Sequence, residues 1–351
     1  MVKLSTRGWF ALTILFSLTV IIIIFATTFN QETIGYILSF NLIFLGLAIL
    51  FRLLALGLWG VRIQLMSGSL GYRVKLPYCV NMVLAGLLAG TITPGGSGGE
   101  PVRVHELYRA GVKIGDATAV VIMERVLDGI VLTILGILLM ILMTRYIETI
   151  FTPALVIIVI IAWFFLISFL LIPFFAIRYP ERTKIFLMKL VNWIVPRLGR
   201  FSASHQSIAE RADHEIDNLF ASMSHFTGNA WKGLFFGGVV TTFFWISEFL
   251  VASVIMMGLG LGPFLLESFF FQILIAIIMM IPLTPGAAGV TEISTLSLYA
   301  LIIPSGMIGI FVILWRFVTF YLNIILGAVS SLAIFKRELK YQKEEEDGKT
   351  G

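Results

Sequence analysis

The chain has 351 residues, of which 58% are hydrophobic and only 13% charged, with a formal net charge of +5; its mean hydropathy is +0.98. This composition excludes a soluble globular or a disordered protein and predicts an all-α polytopic membrane protein. The basic residues lie mostly in predicted loops, which favours a role in membrane orientation over nucleic-acid binding.

Six apolar segments are long enough to cross a bilayer, which takes roughly 20 residues. In chain order they are residues 9–29, 38–59, 115–143, 153–175, 233–257 and 305–335. The first is long for a signal peptide and no small-residue cleavage site follows it, so we expect a retained span. Two shorter apolar segments, 78–92 and 263–282, each end near a Thr-Pro-Gly break.

The two Thr-Pro-Gly breaks indicate two related halves. Proline removes a backbone donor and glycine releases the chain from helical geometry, so each apolar run must stop there. Arg125 follows Thr93 and Arg316 follows Thr284 at the same offset of 32 residues. Paired interruptions of this kind point to a central substrate site in transporter-type proteins. The residues of the breaks are Thr93, Pro94, Gly95, Gly96, Thr284, Pro285 and Gly286.

The distribution of positive charge favours re-entrant hairpins over full crossings at both breaks. If residues 78–92 crossed the membrane, Arg103, Arg109, Lys113 and the basic loop after residue 177 would lie outside, against the positive-inside rule. If residues 78–113 instead enter and leave on one side, every basic cluster and both termini are cytoplasmic. The same parity places a second hairpin, 263–303, on the outer side. We therefore predict about six full spans plus two re-entrant hairpins in an inverted-topology repeat, in the cell membrane.

Charged residues inside the spans are the candidate binding groups. Helical geometry places Arg125 about 100° and Asp128 about 40° from Glu124, so both acids are expected to pair with Arg125. An unpaired charge in the bilayer centre costs about 2.5–3.5 kcal/mol on insertion scales, so a partner or a polar cavity is required. On the last span, Arg316 heads a second polar stripe. The structural alternative is a set of ion pairs that only lock the helices together.

Residues beside the breaks extend the candidate site. Glu100 and Glu292 could cap the returning helix, accept a proton or pair with an arginine, and the sequence leaves these roles open. The glycine-rich loop lacks the Lys-Ser/Thr of a P-loop, but its N–H groups and Arg103 could face an anion unless the loop is only a tight turn. Glu248 is a candidate proton or headgroup ligand. The predicted substrate-binding residues are Arg103, Arg125, Arg316, Glu100, Glu124, Asp128, Glu248 and Glu292.

Residues 177–232 form a polar insertion that we predict to be cytoplasmic. Apolar residues recur at helical spacing from Ile208 to Phe226 with charged residues between them, which is typical of an amphipathic helix on the membrane face or on the protein's own body. Residues 1–335, including this insertion, are predicted to form a single transmembrane domain. Residues 336–351 form a charged cytoplasmic tail.

The blocks around the breaks resemble the lysylphosphatidylglycerol synthase transmembrane region family, also called the flippase-like domain family. The first block runs from Pro94 to Arg103 and is followed by the segment from Glu124 to Asp128, and the second block runs from Pro282 to Glu292. The resemblance covers nearly the whole chain. In the second block Gly-Ala-Ala-Gly replaces a more glycine-rich sequence, which makes that hairpin less flexible than usual.

The resemblance implies a lipid flippase. Bifunctional members carry a soluble aminoacyl transferase domain after this region, whereas this chain ends about fifteen residues after its last predicted span. It therefore implies a stand-alone member and argues against lysyl transfer. Related archaeal domains are associated with polyprenyl-phosphate sugar carriers, so the identity of the lipid stays open.

Two functions fit the sequence. The first is a translocator, not an enzyme, for an anionic phospholipid or a polyprenyl-phosphate-linked lipid, with arginines neutralising the phosphate. The alternative is a membrane-embedded enzyme or enzyme subunit acting on a lipid-linked substrate, with Glu100, Asp128 or Glu292 as acid or base.

The expected partners are membrane lipids and lipid-modifying or glycosyltransferase enzymes, with no nucleic acid, and the oligomeric state stays open. The single cysteine, Cys79, excludes a disulfide within the chain and a cysteine-based metal cluster. No zinc-type histidine pair occurs, so neither a metal nor a cofactor is expected.

Overall fold

The computed structural model describes residues 6–93, 96–143, 153–194, 205–228, 230–280, 284 and 286–350. These residues form helices joined by turns, and no strand occurs among them. The helices are α1 (Thr6–Thr28), α2 (Gln31–Ser39), α3 (Leu42–Ser69), α4 (Leu76–Thr91), α5 (Gly99–Arg109), α6 (Ile114–Leu142), α7 (Pro153–Arg178), α8 (Pro180–Ile194), α9 (His205–Thr227), α10 (Trp231–Gly258), α11 (Leu265–Met280), α12 (Val290–Tyr299), α13 (Ser305–Arg316) and α14 (Leu322–Thr350). A π-helical turn, Phe317–Tyr321, joins α13 to α14.

The predicted all-α polytopic membrane fold is confirmed. Within the described residues, five helices are long and apolar enough to cross a membrane. The number rises to six if α1 and α2, which meet at a bend of 114°, count as one span. The shorter apolar helices α4 and α11 precede the two breaks. Pro94, Gly95 and Pro285, which were predicted to form the breaks, lie outside the described residues. Helix α14 runs through residues 335 and 336 without interruption.

The second span differs from its predicted bounds of residues 38–59. Helix α3 begins at Leu42 because the side chain of Asn41 accepts a hydrogen bond from the Ile43 N–H and caps it. It then continues ten residues past Trp59, to Ser69, so that Arg62 lies inside the helix rather than in a loop. This correction brings Arg62 into the protein core.

Helices α3 and α10 form the central antiparallel pair. The Asn41 N–H donates to the Gly258 carbonyl at 3.0 Å at one end, and Gly233 packs without room for a side chain against Ser69 at the other. Each helix ends in the same turn, with a glycine in the left-handed region: Gly71 has φ 91° and Gly260 has φ 78°. The C-terminal ends of α3 and α10 therefore lie at opposite ends of the pair.

A helical hairpin follows each member of this pair. In the first, α4 and α5 run antiparallel, since the Tyr78 hydroxyl donates to the Glu106 carboxylate at 2.9 Å near the open end. In the second, α11 and α12 run antiparallel, since the Gln272 side chain donates to the Tyr299 hydroxyl at 2.8 Å. The hairpins start from opposite ends of the α3–α10 pair, as an inverted repeat requires.

The tips of the hairpins meet in the middle of the molecule. The Gly286 N–H donates to the Thr93 carbonyl at 3.1 Å and joins the two breaks directly. Gly286 has φ 57°, and a Cβ there would approach the Thr91 carbonyl to 2.9 Å. Glycine is required at this position both for the backbone conformation and for the close approach.

Part of the polar insertion packs on the protein's own body. The Gly115 N–H at the start of α6 donates to the Glu215 carboxylate at 2.8 Å, and the Ser222 hydroxyl of α9 donates to Asp116. Helix α8 is tied to α9 because the Lys184 ammonium contacts Asp217 at 2.7 Å. The hydrogen bonds that this ammonium donates to Asp217 and Asp213 raise the pKa of Lys184. Residues 195–204 of the insertion lie outside the described residues.

The contact between α6 and α9 leaves no space beside Gly115. A Cβ on Gly115 would lie 2.8 Å from the Glu215 carbonyl oxygen and 2.9 Å from the Leu219 nitrogen, both backbone atoms. We expect Gly115→Ala to lower the stability by about 1–3 kcal/mol by overpacking, measured as a lower thermal midpoint in detergent. Gly68→Ala is the matched control: nothing lies within 4 Å of the added Cβ, and alanine favours a helix over glycine. Equal midpoints for the two variants would contradict this contact.

The opposite entry of the hairpins predicts opposite labelling. In a Cys79→Ala background, Ala110→Cys at the end of α5 and Gly262→Cys just after α10 lie at opposite ends of the α3–α10 pair. A membrane-impermeant maleimide should label position 262 in intact cells and position 110 only after permeabilisation, because the basic clusters favour a cytoplasmic first hairpin. Labelling of both positions from the same side would refute the inverted arrangement.

Candidate functional site

A cavity of about 280 Å³ lies where the two hairpins meet. Its wall includes Gly96 and Glu100 of the first hairpin and Gly286 of the second. The other charged lining residues are four arginines and one further glutamate: Arg52, Arg103, Arg125, Arg316 and Glu248. The charges of the lining are thus predominantly positive.

The predicted site residues fall into two groups. Glu100, Arg103, Arg125, Glu248 and Arg316 line the cavity itself. Glu124, Asp128 and Glu292 lie behind it as the carboxylates that pair with arginines, and each is at least 98% buried. The tertiary structure therefore places all eight residues at one cavity or directly behind its wall.

Arginines and acids alternate in the first half of the site. Glu100 contacts the Arg125 guanidinium at 3.1 Å and the Arg103 guanidinium at 3.5 Å. Arg125 also contacts Asp128 at 3.3 Å, and Arg103 contacts Glu124 at 3.5 Å. Each arginine here thus has two acidic neighbours. The returning limb α5 is held against α6 by these pairs.

Arg62 is the functional residue that the sequence analysis missed. Its buried guanidinium contacts Glu124 at 3.0 Å and Asp128 at 2.6 Å, and donates to the Thr241 hydroxyl at 3.2 Å. The prediction that Glu124 pairs with Arg125 was wrong, because Glu124 points toward α3 and α5 while Arg125 faces the cavity. The signal that could have found Arg62 is the apolar pattern that continues past it, with no helix breaker before Gly68.

Aromatic side chains complete the first half. The Trp59 indole donates to Glu124 at 2.7 Å, and the Trp245 indole donates to Asp128 at 3.2 Å. The face of Trp59 lies 5.0 Å from the Arg103 guanidinium and 5.6 Å from that of Arg125. Trp59 therefore supports the acids by hydrogen bonding and the arginines by cation–π contact.

The second half repeats the pairing of the first in a more enclosed form. Arg316 contacts Glu292 at 2.9 Å, as Arg125 contacts Glu100. Glu292 also accepts hydrogen bonds from the Ser17 hydroxyl at 2.7 Å and from the Gly289 N–H at 2.8 Å. Of the roles left open for Glu292, the structure places it both as a helix cap and as an arginine partner.

A separate ion pair joins α3 to α10 in the cavity wall. Arg52 of α3 pairs with Glu248 of α10 and donates to the Asn323 side chain of α14 at 3.0 Å. Asn323 lines the cavity together with Thr319 and Arg316, so this polar stripe faces the site. The π-helical turn lies within it, directly after Arg316; such turns often occur at functional sites.

Several buried donors on the cavity wall form no hydrogen bond with the described residues. Those of Arg103 and Arg125 belong to guanidinium groups that contact Glu100 at 3.5 and 3.1 Å. The other two are Nη2 of Arg316 and the indole Nε1 of Trp315. A buried donor left without a partner costs about 1–3 kcal/mol. An anion in the cavity would satisfy both, and the arginine fork matches the geometry of a phosphate.

The described residues of the two breaks form hydrogen bonds but contribute no charged side chain. The Thr93 hydroxyl accepts a hydrogen bond from the Gly98 N–H at 2.7 Å, and the Thr284 hydroxyl donates to the Ala288 carbonyl at 2.8 Å. Each threonine thereby closes its own turn. In the described part of the chain, no group of three or more histidine, cysteine or acidic residues is arranged to hold a metal ion.

The burial of each ion pair predicts how much it contributes to the stability of the fold. Removing one partner of a buried pair leaves the other charge uncompensated. We expect Arg62→Met to lower the free energy of unfolding by about 3–5 kcal/mol. The comparable Arg125→Met should have a much smaller effect, because the Arg125 side chain is 28% exposed and that of Arg62 only 1%.

The measurement is the unfolding midpoint of the detergent-purified variants. The double variant Arg62→Met/Glu124→Gln should recover part of the loss, because it removes one acid together with the cation and leaves Arg103 and Arg125 balanced by Glu100 and Asp128. A larger loss for Arg125→Met than for Arg62→Met would show that the stabilising pair has been misassigned.

Comparison with known proteins places this site in a family. A family model described as Lysylphosphatidylglycerol synthase TM region matches residues 9–327. A UPF0104 membrane protein from Archaeoglobus fulgidus is 29% identical over 274 residues, covering 78% of this chain and 80% of the relative. A UPF0104 membrane protein from Methanothermobacter thermautotrophicus is 28% identical over 242 residues, 67% of each chain. No solved structure matches the chain significantly.

The chain belongs to the lysylphosphatidylglycerol synthase TM region family, and the resemblance noted in its sequence is confirmed. The match spans both hairpins and every candidate charge of the site.

Proposed function

We propose that this member of the family moves an anionic lipid, a phospholipid or a polyprenyl-phosphate-linked lipid, between the leaflets of the cell membrane. The observation that carries the proposal is the cavity between two oppositely entering hairpins, with four arginines and two glutamates in its wall. A phosphate headgroup is costly to bring through hydrocarbon, and a polar cavity of opposite charge lowers that cost. The hydrocarbon chains of the transported lipid stay in the apolar interior of the bilayer.

The inverted halves supply a way to alternate access. Arg125 and Arg316 take matching positions, each paired with the glutamate that follows its own break. In inverted-repeat transporters the site stays near the midplane while one half rocks against the other. A phosphate would be held by one arginine fork while the other arginine keeps its glutamate, so that no charge is left without a partner at either stage.

Orientation, domain limits and partners belong to the same proposal. Both termini are cytoplasmic, residues 1–335 act as a single flippase-like domain with its insertion at 177–232, and residues 336–351 are a charged cytoplasmic tail. Lipid-modifying enzymes or glycosyltransferases that supply or consume the lipid are the proposed protein partners. In this account the carboxylates neutralise arginines and do not catalyse a reaction.

The proposal predicts charge-dependent lipid exchange. Purified protein in liposomes should accelerate the movement of a fluorescent phosphatidylglycerol between leaflets, measured by dithionite quenching. Arg125→Gln/Arg316→Gln should reduce the accelerated rate by at least about tenfold, because the phosphate loses both forks. Phosphatidylcholine should move more slowly, since its headgroup carries a cation beside the phosphate.

The matched control removes two positive charges away from the cavity. Arg182→Gln/Lys184→Gln alters α8, which contributes no residue to the cavity wall, and should leave the exchange rate close to that of the wild type. Equal exchange by wild type, the cavity variant and empty liposomes, tested with several anionic lipids, would refute translocation. It would favour the enzyme or enzyme-subunit alternative, in which Glu100 reaches the substrate.

A further inference from the structure

A second cavity lies on the other side of Glu100 and Arg125. This lateral groove has a volume of about 460 Å³ and runs between α5 and α6. Apolar side chains make up most of its wall, among them Pro101, Val104, Ile114, Val121 and Ile122. Ile114 is 41% exposed. The groove thus has a mostly apolar wall and opens at the protein surface; His105, Tyr108 and Thr118 complete the wall.

The groove and the charged cavity share two residues. Glu100 and Arg125 line both of them, so the Glu100–Arg125 ion pair, at 3.1 Å, separates the two spaces. The groove therefore leads directly to a cation that faces the charged cavity.

Among the ion pairs of the site described above, this one is the most exposed and therefore opens most readily. Its side chains are 28% and 32% exposed, whereas those of Arg316 and Glu292 are 2% and 0% exposed. A partly exposed pair contributes little to stability. Each member also keeps another partner when the pair opens, since Arg125 contacts Asp128 at 3.3 Å and Glu100 contacts Arg103 at 3.5 Å.

We propose that the lateral groove holds one hydrocarbon chain of an anionic lipid and that the lipid's phosphate opens the cavity by displacing Glu100 from Arg125. The inference rests on the proposed function and specifies how its substrate enters. A hydrocarbon chain fits the apolar wall, and the negative headgroup fits the arginine at the end of the groove. Glu100 then turns to Arg103, so the exchange leaves every charge paired.

The occupant is tested by photocrosslinking in liposomes. Wild-type protein is mixed with phosphatidylglycerol that carries a diazirine in one acyl chain, and labelled residues are mapped by mass spectrometry. Labels should concentrate on the groove, at Val104, Tyr108 and Ile122. Diacylglycerol with the same chains but no phosphate should label these residues several-fold less, since it cannot displace Glu100. Labelling spread over the whole lipid-facing surface, or equal labelling by both lipids, would overturn the proposal.

The route is tested by filling the groove. Ile122→Trp should lower phosphatidylglycerol exchange by about tenfold by occupying the space of the chain. Ile134→Trp is the matched control, because Ile134 lies on the same helix, is 60% exposed and does not line the groove; its exchange rate should equal that of the wild type. As a separate single variant, Glu100→Gln should increase the photolabelling of the groove, because Arg125 then no longer has the Glu100 carboxylate as a partner.

The outcomes separate the two proposals. Labelling confined to the groove without any lipid exchange would refute translocation and leave the groove as a lipid-binding site. Undiminished exchange by a folded Ile122→Trp variant, with labels outside the groove, would refute the groove and leave translocation intact.

Discussion

The contacts of Arg62 with Glu124 and Asp128 are the interaction on which the rest of the site depends. Charges can be buried at membrane depth only if each has a partner. Here a guanidinium on α3 holds two carboxylates one turn apart on α6. Their second oxygens remain directed at Arg103 and Arg125. Two of the four arginines that line the cavity, Arg103 and Arg125, thus contact the same acids that Arg62 holds.

The two halves share a plan but differ in enclosure. In both, a glutamate after the break pairs with an arginine on the following span. The second pair is almost fully buried because Ser17 of α1 and the cap of α12 both donate to Glu292. The first pair has no such cover and borders the lateral groove. The Glu100–Arg125 pair is therefore the more accessible of the two from the protein surface.

A backbone hydrogen bond connects the two halves at the centre of the molecule. The hydrogen bond from Gly286 to Thr93 ties one hairpin tip to the other, and it requires a glycine where a Cβ would meet the facing backbone. The two tips therefore meet directly beside the cavity that both of them border.

The membrane class, the two breaks and most charged residues of the site could be predicted from the sequence, because hydrophobic run length, Pro-Gly interruption and intramembrane charge are local properties of the chain. Even the opposite entry of the hairpins followed from counting basic residues.

What the local pattern could not decide was which charges meet. Glu124 and Arg125 are neighbours in the chain, yet they face different elements, and Glu124 pairs with Arg62, which lies 62 residues earlier. Arg62 itself lies beyond the predicted span of residues 38–59, because a charge after an apolar run indicates the end of a span unless its distant partners are known. Whether the amphipathic insertion covers the membrane or the protein was likewise open until α9 was seen against Gly115. Composition and periodicity determined that this chain enters a membrane with charges inside it. Only the tertiary structure decided their pairing, because the free energy of a buried charge depends on contacts between residues that are far apart in the sequence.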